Sequence, residues 1–369
     1  MKSLLTVLLL FIAVSVMAGP LSWQTTSSLP KGIKDAACVV GGDYVYMLGG
    51  RTTDAPYAAS HCYYAAINTD GTLGTWTATT DLPGERASMN AYVYDGNIYL
   101  WGGWRDGYPT ENTCFYAPIN GDGSLGSWVT SSVTIPDGAG EVQMDSYGRG
   151  ITGFGKYLYI IGGERNDASY SRDCYYSEIQ PDGDYGAWTT TTQLPDPENG
   201  DGYWFHGVAI YDGDEADYIY MVGGNHGGTS EDHIIYNTIN SDGSLGAEWQ
   251  TSPIPLNQGC YENGCAIIDR YIFSVGGLNG STPLDNVQMI EIDPSTGAVE
   301  SVTDQTVLPE ARARTHAVSY AKDGKLYLYN IGGAVYSGDP YYDTCWVSEY
   351  ATPTPTPVVL DAAEWEKYE

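Results

Sequence analysis

The chain has 369 residues, and its 46 acidic residues outnumber 16 basic ones to give a formal charge of -30. A surface this negative repels phosphate backbones and anionic lipid headgroups, which argues against nucleic acid as a partner. Forty-six glycines, 32 tyrosines and 10 tryptophans beside only 5 phenylalanines speak for turns and half-exposed aromatic strands rather than helices.

Residues 1–18 read as a secretory leader: one lysine, an apolar run, and small residues that predict cleavage after Ala18. The alternative is an uncleaved anchor. After cleavage no stretch is long and apolar enough to span a bilayer, so the expected location is secreted, periplasmic or cell-surface.

From residue 19 onward the sequence is periodic. Six apolar, aromatic runs end in a Gly-Gly pair, with first glycines at 49, 102, 162, 223, 276 and 332. A short apolar stretch and turn precede each pair, as in Ala91–Gly96. A further strand follows, as in Cys62–Ile67, then a tight turn leading to a fourth strand. That turn recurs as NTDGTLG (68–74), NGDGSLG (120–126), QPDGDYG (180–186) and NSDGSLG (240–246). Asp-Gly followed by a second glycine suits a hairpin that needs positive φ. Each unit is therefore a four-stranded antiparallel sheet.

Such a sheet cannot bury both faces alone, but six around an axis can, which predicts an all-β, six-bladed propeller over residues 19–350. The last unit lacks its own fourth strand, and the segment from Trp23 to Pro30 lacks a unit. Trp23 is thus expected to complete the last blade and close the ring. Trp76, Trp128, Trp188 and Trp249 continue the series, with Val302 in the tryptophan position of blade five. Residues 351–357 (ATPTPTP) read as an extended Pro/Thr linker and 358–369 as an acidic tail.

The Gly-Gly pair after the second strand, the tyrosine in the third and the tryptophan in the fourth resemble the kelch family, over about residues 21–350. The resemblance implies a kelch-type propeller of the galactose-oxidase-like superfamily. It leaves function open, because kelch propellers include binding modules, scaffolds and a few enzymes.

Strand alternation assigns the loops. Turns between strands one and two, and three and four, share one face. The longer loops share the other, around the channel mouth, and loops on a rigid scaffold tend to carry function. The long-loop face holds Arg51, Arg86, Arg105, Arg149, Arg165, Arg172, Arg312, Arg314 and His316, with Tyr203, Trp204, His206, His226 and His233. Candidate ligand-binding residues are Arg86, Arg105, Arg149, Arg165, Tyr203, Trp204, His206, His226, Arg312, Arg314 and His316. Guanidinium forks match carboxylates, and aromatic rings cover the apolar faces of sugars. Neighbouring carboxylates offer the competing reading, in which each arginine only ties loops together.

The leading functional reading is a secreted binding module for a glycan or a partner protein. The alternatives are a carbohydrate-active enzyme, sialic-acid-mutarotase-like or copper-radical-oxidase-like, and a structural cell-envelope protein. Arg86 or Arg312 beside Glu85 or Glu310 would be the acid–base arrangement of a mutarotase. No catalytic or metal-binding motif is found, and no cofactor is expected. The Asp-Gly turns lack the distal glutamate of a calcium loop. The cysteines are expected to be mostly buried thiols, with one bridge considered between Cys260 and Cys265.

Overall fold

A computed structural model describes residues 12–15, 21–54, 57–106, 111–136, 153–164, 169–196, 202–213, 215–335, 340–351 and 355–358. Among these residues six four-stranded antiparallel sheets succeed one another along the chain. The first blade runs Ala37–Gly41, Tyr44–Leu48, Cys62–Ala66 and Thr77–Ala78. The second repeats this order from Asn90–Tyr94 to Val129–Thr134. The third runs from Gly153–Phe154 to Thr189–Thr191, the fourth from Gly207–Tyr211 to Gln250–Thr251, and the fifth from Gly264–Ile268 to Val299–Asp304.

The sixth blade closes as the sequence predicts. His316–Lys322, Lys325–Ile331 and Cys345–Tyr350 receive Gln24–Thr26 as their outer strand, with Gln24 opposite Val347 and Thr26 opposite Cys345. A ribbon pairs Ile12–Ser15 with Pro355–Val358. The rest of the expected leader and tail, and the loop at 137–149, lie outside the described residues.

The core is divided among the gaps between blades. Tyr46 and Leu48 of blade one pack with Ile98 and Leu100 of blade two, and Tyr159 and Ile161 of blade three with Ile219 and Met221 of blade four. Strand alternation sends successive side chains into opposite gaps, so the central strands are buried on both faces.

A repeated bond staples the gaps. The Nε1–H of Trp76, Trp128 and Trp249 donates to the carbonyl of Ser27, Thr80 and Thr192, each just past the outer strand of the preceding blade. Trp23 does the same to Thr306. Val302 pairs with Ile290, which is the tryptophan position of the other blades in register. Trp76 and Trp188 are buried, whereas Trp128 is only partly so.

The Asp-Gly turns are hairpins. The Asp70, Asp122 and Asp242 carboxylates each accept the backbone N–H and the hydroxyl of the residue two positions on, Thr72, Ser124 and Ser244. These bonds hold the three carboxyl groups below their usual range. All seven cysteines are free. The bridge considered between Cys260 and Cys265 is not formed: both side chains are buried as thiols, and the Cys260 sulfur lies 3.4 Å from the Ser274 hydroxyl.

Candidate functional site

The long-loop end of the channel is built around a repeated backbone strain. Asp35, Ser88, Phe205, Glu262 and Arg314 occupy the same place in their blades, two residues before the inner strand. All five are non-glycine residues with φ between 52° and 57°. The corresponding residue of blade three lies outside the described residues. Left-handed backbone at non-glycine residues is uncommon and persists only where the surroundings enforce it. Here the enforcement is inter-blade hydrogen bonding. The N–H of Ser88 donates to the Asp35 carbonyl at 2.6 Å, that of Glu262 to Phe205 at 2.8 Å, and that of Arg314 to Glu262 at 3.0 Å.

The side chains of this girdle form an ion cluster. The Arg314 guanidinium lies 3.1 Å from Asp35 and 2.7 Å from Glu262, so it joins blade six to blades one and five. Both carboxylates are buried. Lys34 is also buried, 4.4 Å from the centroid of Tyr341. Burial drives its amine down to about 8, against the opposing pull of Asp35. Low-dielectric surroundings strengthen such pairs, and removing one partner strands the others.

The candidate arginines separate into structural and accessible ones. Arg86 and Arg312 hold equivalent places and are buried. Arg86 donates to the Gly102 carbonyl at 2.9 Å and to the Thr113 hydroxyl at 2.8 Å, and Glu111 lies 3.5 Å away. Arg312 donates to the Gly332 carbonyl at 3.0 Å and to the Thr344 carbonyl at 2.9 Å, over the Trp346 ring. Each therefore satisfies the first carbonyl of its own Gly-Gly pair, where the positive-φ bend turns that carbonyl away from the sheet. The sequence places Arg86 and Arg312 on an open face, whereas the structure buries both guanidinium groups against backbone carbonyls. Burial pushes both guanidinium groups down to about 10.

His206 and His316 are likewise buried, contrary to their expected place on an open face. His316 Nδ1 lies 3.0 Å from the Ile331 carbonyl. Desolvation pushes the His206 imidazole down to about 4, with the Ile161 carbonyl opposing. Tyr203 is buried as well, its ring 6.0 Å from that of His226, which stays partly exposed. Arg105 pairs with Glu111 at 2.5 Å. Arg149 and Arg165 lie outside the described residues.

What remains at the mouth is a partly exposed aromatic pair and, among the described residues, one guanidinium without a carboxylate neighbour. Trp204 stacks on Tyr170 with centroids 4.6 Å apart, and its Nε1–H donates to Asn225 Oδ1 at 2.9 Å. Phe205 and Tyr261 continue the aromatic surface beneath it. Arg51 lies over Trp104 at 4.9 Å from the ring centroid and is fixed by paired backbone bonds with Lys34. The other arginines of the described residues each have a carboxylate within 4 Å: Arg86, Arg105, Arg172, Arg270, Arg312 and Arg314. Among the described residues Arg51 is the arginine with none. The girdle precedes the first glycine of the pair by 14 residues in blades one, two and five and by 18 in blades four and six, so unequal strand lengths hide it in the sequence. Among the described residues no three His, Cys, Asp or Glu side chains converge on a common point.

Fold and site define a six-bladed β-propeller with a built mouth on its long-loop face. The chain is similar to kelch-repeat propellers. It is 25% identical over 293 residues to Kelch-like protein 23 of Mus musculus, and equally to that of Homo sapiens, across 79% of this chain and 43% of each relative. It thus spans under half the length of these curated relatives. The solved structure of YjhT superposes with a TM-score of 0.59 at 15% identity, over 86% of this chain and 95% of that one. No protein-family profile matches the chain.

Proposed function

We propose that this propeller is an exported binding module that captures a carboxylate-bearing glycan on its long-loop face. The observation that carries the reading is Arg51. In a chain of charge -30, it is the guanidinium of the described residues left without a carboxylate neighbour, and it is held on Trp104 at the mouth. A guanidinium fork pre-oriented on an indole face pairs with a carboxylate at small entropic cost. The stacked Trp204 and Tyr170 supply a flat apolar surface for a sugar ring. The leader-like residues 1–18 support export.

The test is glycan-array binding by the purified protein beside Arg51→Ala and Arg51→Lys. Saturable binding to acidic sugars, lost in Arg51→Ala at an unchanged melting temperature, supports the reading. Array silence from a folded wild type overturns the glycan and moves the reading to a protein partner. Mass analysis of the exported protein checks cleavage after Ala18.

A further inference from the structure

The opposite half of the channel holds a second cavity, of about 320 Å³. Inner strands of blades one, two, five and six line it, chiefly through Val39, Val40, Tyr92, Val93, Ala266 and Val318. Its lining begins below the strained girdle and runs toward the short turns, so it shares no residue with the mouth described above. We propose that this turn-side channel cavity binds an uncharged apolar small molecule, with a fused or linked pair of aromatic rings as the fitting class.

Three observations carry the assignment. The first is wall chemistry: every lining residue is Val, Ala, Cys, Tyr or Ser. No lysine, arginine, aspartate or glutamate enters the wall, so a charged ligand would lose its hydration without gaining a counter-ion. Burial keeps the Tyr92 phenol protonated, pushed up to about 12, and raises the Cys38 and Cys265 thiols. The second is exposure. Val39, Val40, Val93 and Val318 are only partly buried, so their apolar surface faces the open channel. The polar groups near it are already engaged: the Ser319 hydroxyl donates to the Ile267 carbonyl at 2.7 Å, and the Tyr320 hydroxyl donates to Asp43 at 2.5 Å. The third is size. An apolar cavity of about 150 Å³ takes up benzene, and this one is about twice that.

The full chain is titrated with N-phenyl-1-naphthylamine, a neutral fluorophore, and with 8-anilinonaphthalene-1-sulfonate, which carries nearly the same rings plus a sulfonate. The neutral dye is expected to bind saturably at one site, and the sulfonate at least about tenfold more weakly. Val318→Phe, which fills the cavity, should weaken the neutral dye about tenfold or more, while Arg51→Ala leaves it unchanged. Cys38 lines the cavity and is the one cysteine with partial exposure. Saturating neutral dye should therefore slow its labelling by methyl methanethiosulfonate, read by mass spectrometry. That measurement uses wild-type protein and decides the matter if Val318→Phe fails to fold. Equal binding of the two dyes, or Cys38 labelling indifferent to the neutral dye, overturns the proposal. Neither outcome bears on the acidic glycan at the mouth.

Discussion

The Tyr329 hydroxyl donates to the carbonyl of Gly71 across 2.7 Å, binding the second strand of blade six to the Asp-Gly turn of blade one. The same bond joins Tyr46 to Gly123 and Tyr220 to Gly297, so ring closure uses the staple that holds other gaps together. Gly71 itself has φ 82° and lies against the Tyr327 ring, which a Cβ would overlap. Tyr329→Phe is expected to cost about 1 kcal/mol, the loss of a buried hydrogen bond. Gly71→Ala should cost more, about 1–3 kcal/mol, because strain and overlap add. Urea denaturation of both variants checks the order; a costlier Tyr329→Phe would contradict it.

The tryptophan series gives a graded prediction. Trp76 is buried and its indole N–H reaches Ser27, so Trp76→Ala should lose about 3–5 kcal/mol. Trp128 makes the equivalent bond from a partly exposed position and should lose clearly less. Differential scanning calorimetry of the two variants tests the ranking.

Much of the fold was legible because the repeat encodes it. Gly-Gly pairs, Asp-Gly turns and the fourth-strand tryptophans each mark a backbone event that few other residues permit, and Val302 falls in register where the repeat puts it. The site was less legible for a physical reason. Arg86, Arg312 and Arg314 are the same residue type within one short stretch of repeat. Only the carbonyls and carboxylates brought up from neighbouring strands decide which are buried. His206 and His316 misled similarly: loop-edge position in sequence becomes interior position once the inner strands close around the axis.

Arg51 and Arg312 should therefore part company on substitution. Arg312→Ala removes donors from the Gly332 and Thr344 carbonyls and leaves them buried, so about 3–5 kcal/mol of stability should go with it. Arg51→Ala removes a partly exposed side chain whose neighbours keep their own bonds, and its cost should stay within about 1 kcal/mol. Paired melting curves check this. A drop for Arg51→Ala as large as that for Arg312→Ala would make Arg51 a structural residue.

His206 predicts a pH dependence. The folded imidazole takes a proton only near pH 4, the unfolded one near pH 6.5. Its contribution is neutral above the unfolded value. Stability is then lost as pH falls, and the loss is complete below the folded value, amounting to about 3 kcal/mol. His206→Gln should flatten this part of the curve. Denaturation of wild type and variant at pH 7, 5 and 4 checks it: the stability gap between them should shift in the variant's favour as pH falls. A constant gap would mean that His206 protonates without penalty.

The Arg314 cluster supports the sharpest test of the girdle. Arg314 carries three loads: a guanidinium between Asp35 and Glu262, a contact of 5.6 Å with the Phe205 ring, and a left-handed backbone with φ 52°. Substitutions divide these. Arg314→Gly relieves the backbone but abandons two buried carboxylates. Arg314→Lys keeps a charge yet cannot reach both acids with a planar fork. Arg314→Met keeps bulk and loses charge. If electrostatics dominate, Arg314→Gly and Arg314→Met should both lose about 3–5 kcal/mol and Arg314→Lys should lose less. If backbone strain dominates, Arg314→Gly should instead be the mildest of the three, gaining back part of the cost of a non-glycine residue at positive φ. A charge-balanced combination, Glu262→Gln with Arg314→Met, leaves Asp35 beside the buried Lys34 and separates the pair energy from the stranded-charge penalty. It should be more stable than Arg314→Met alone, because the Glu262 carboxylate is no longer left facing a missing partner.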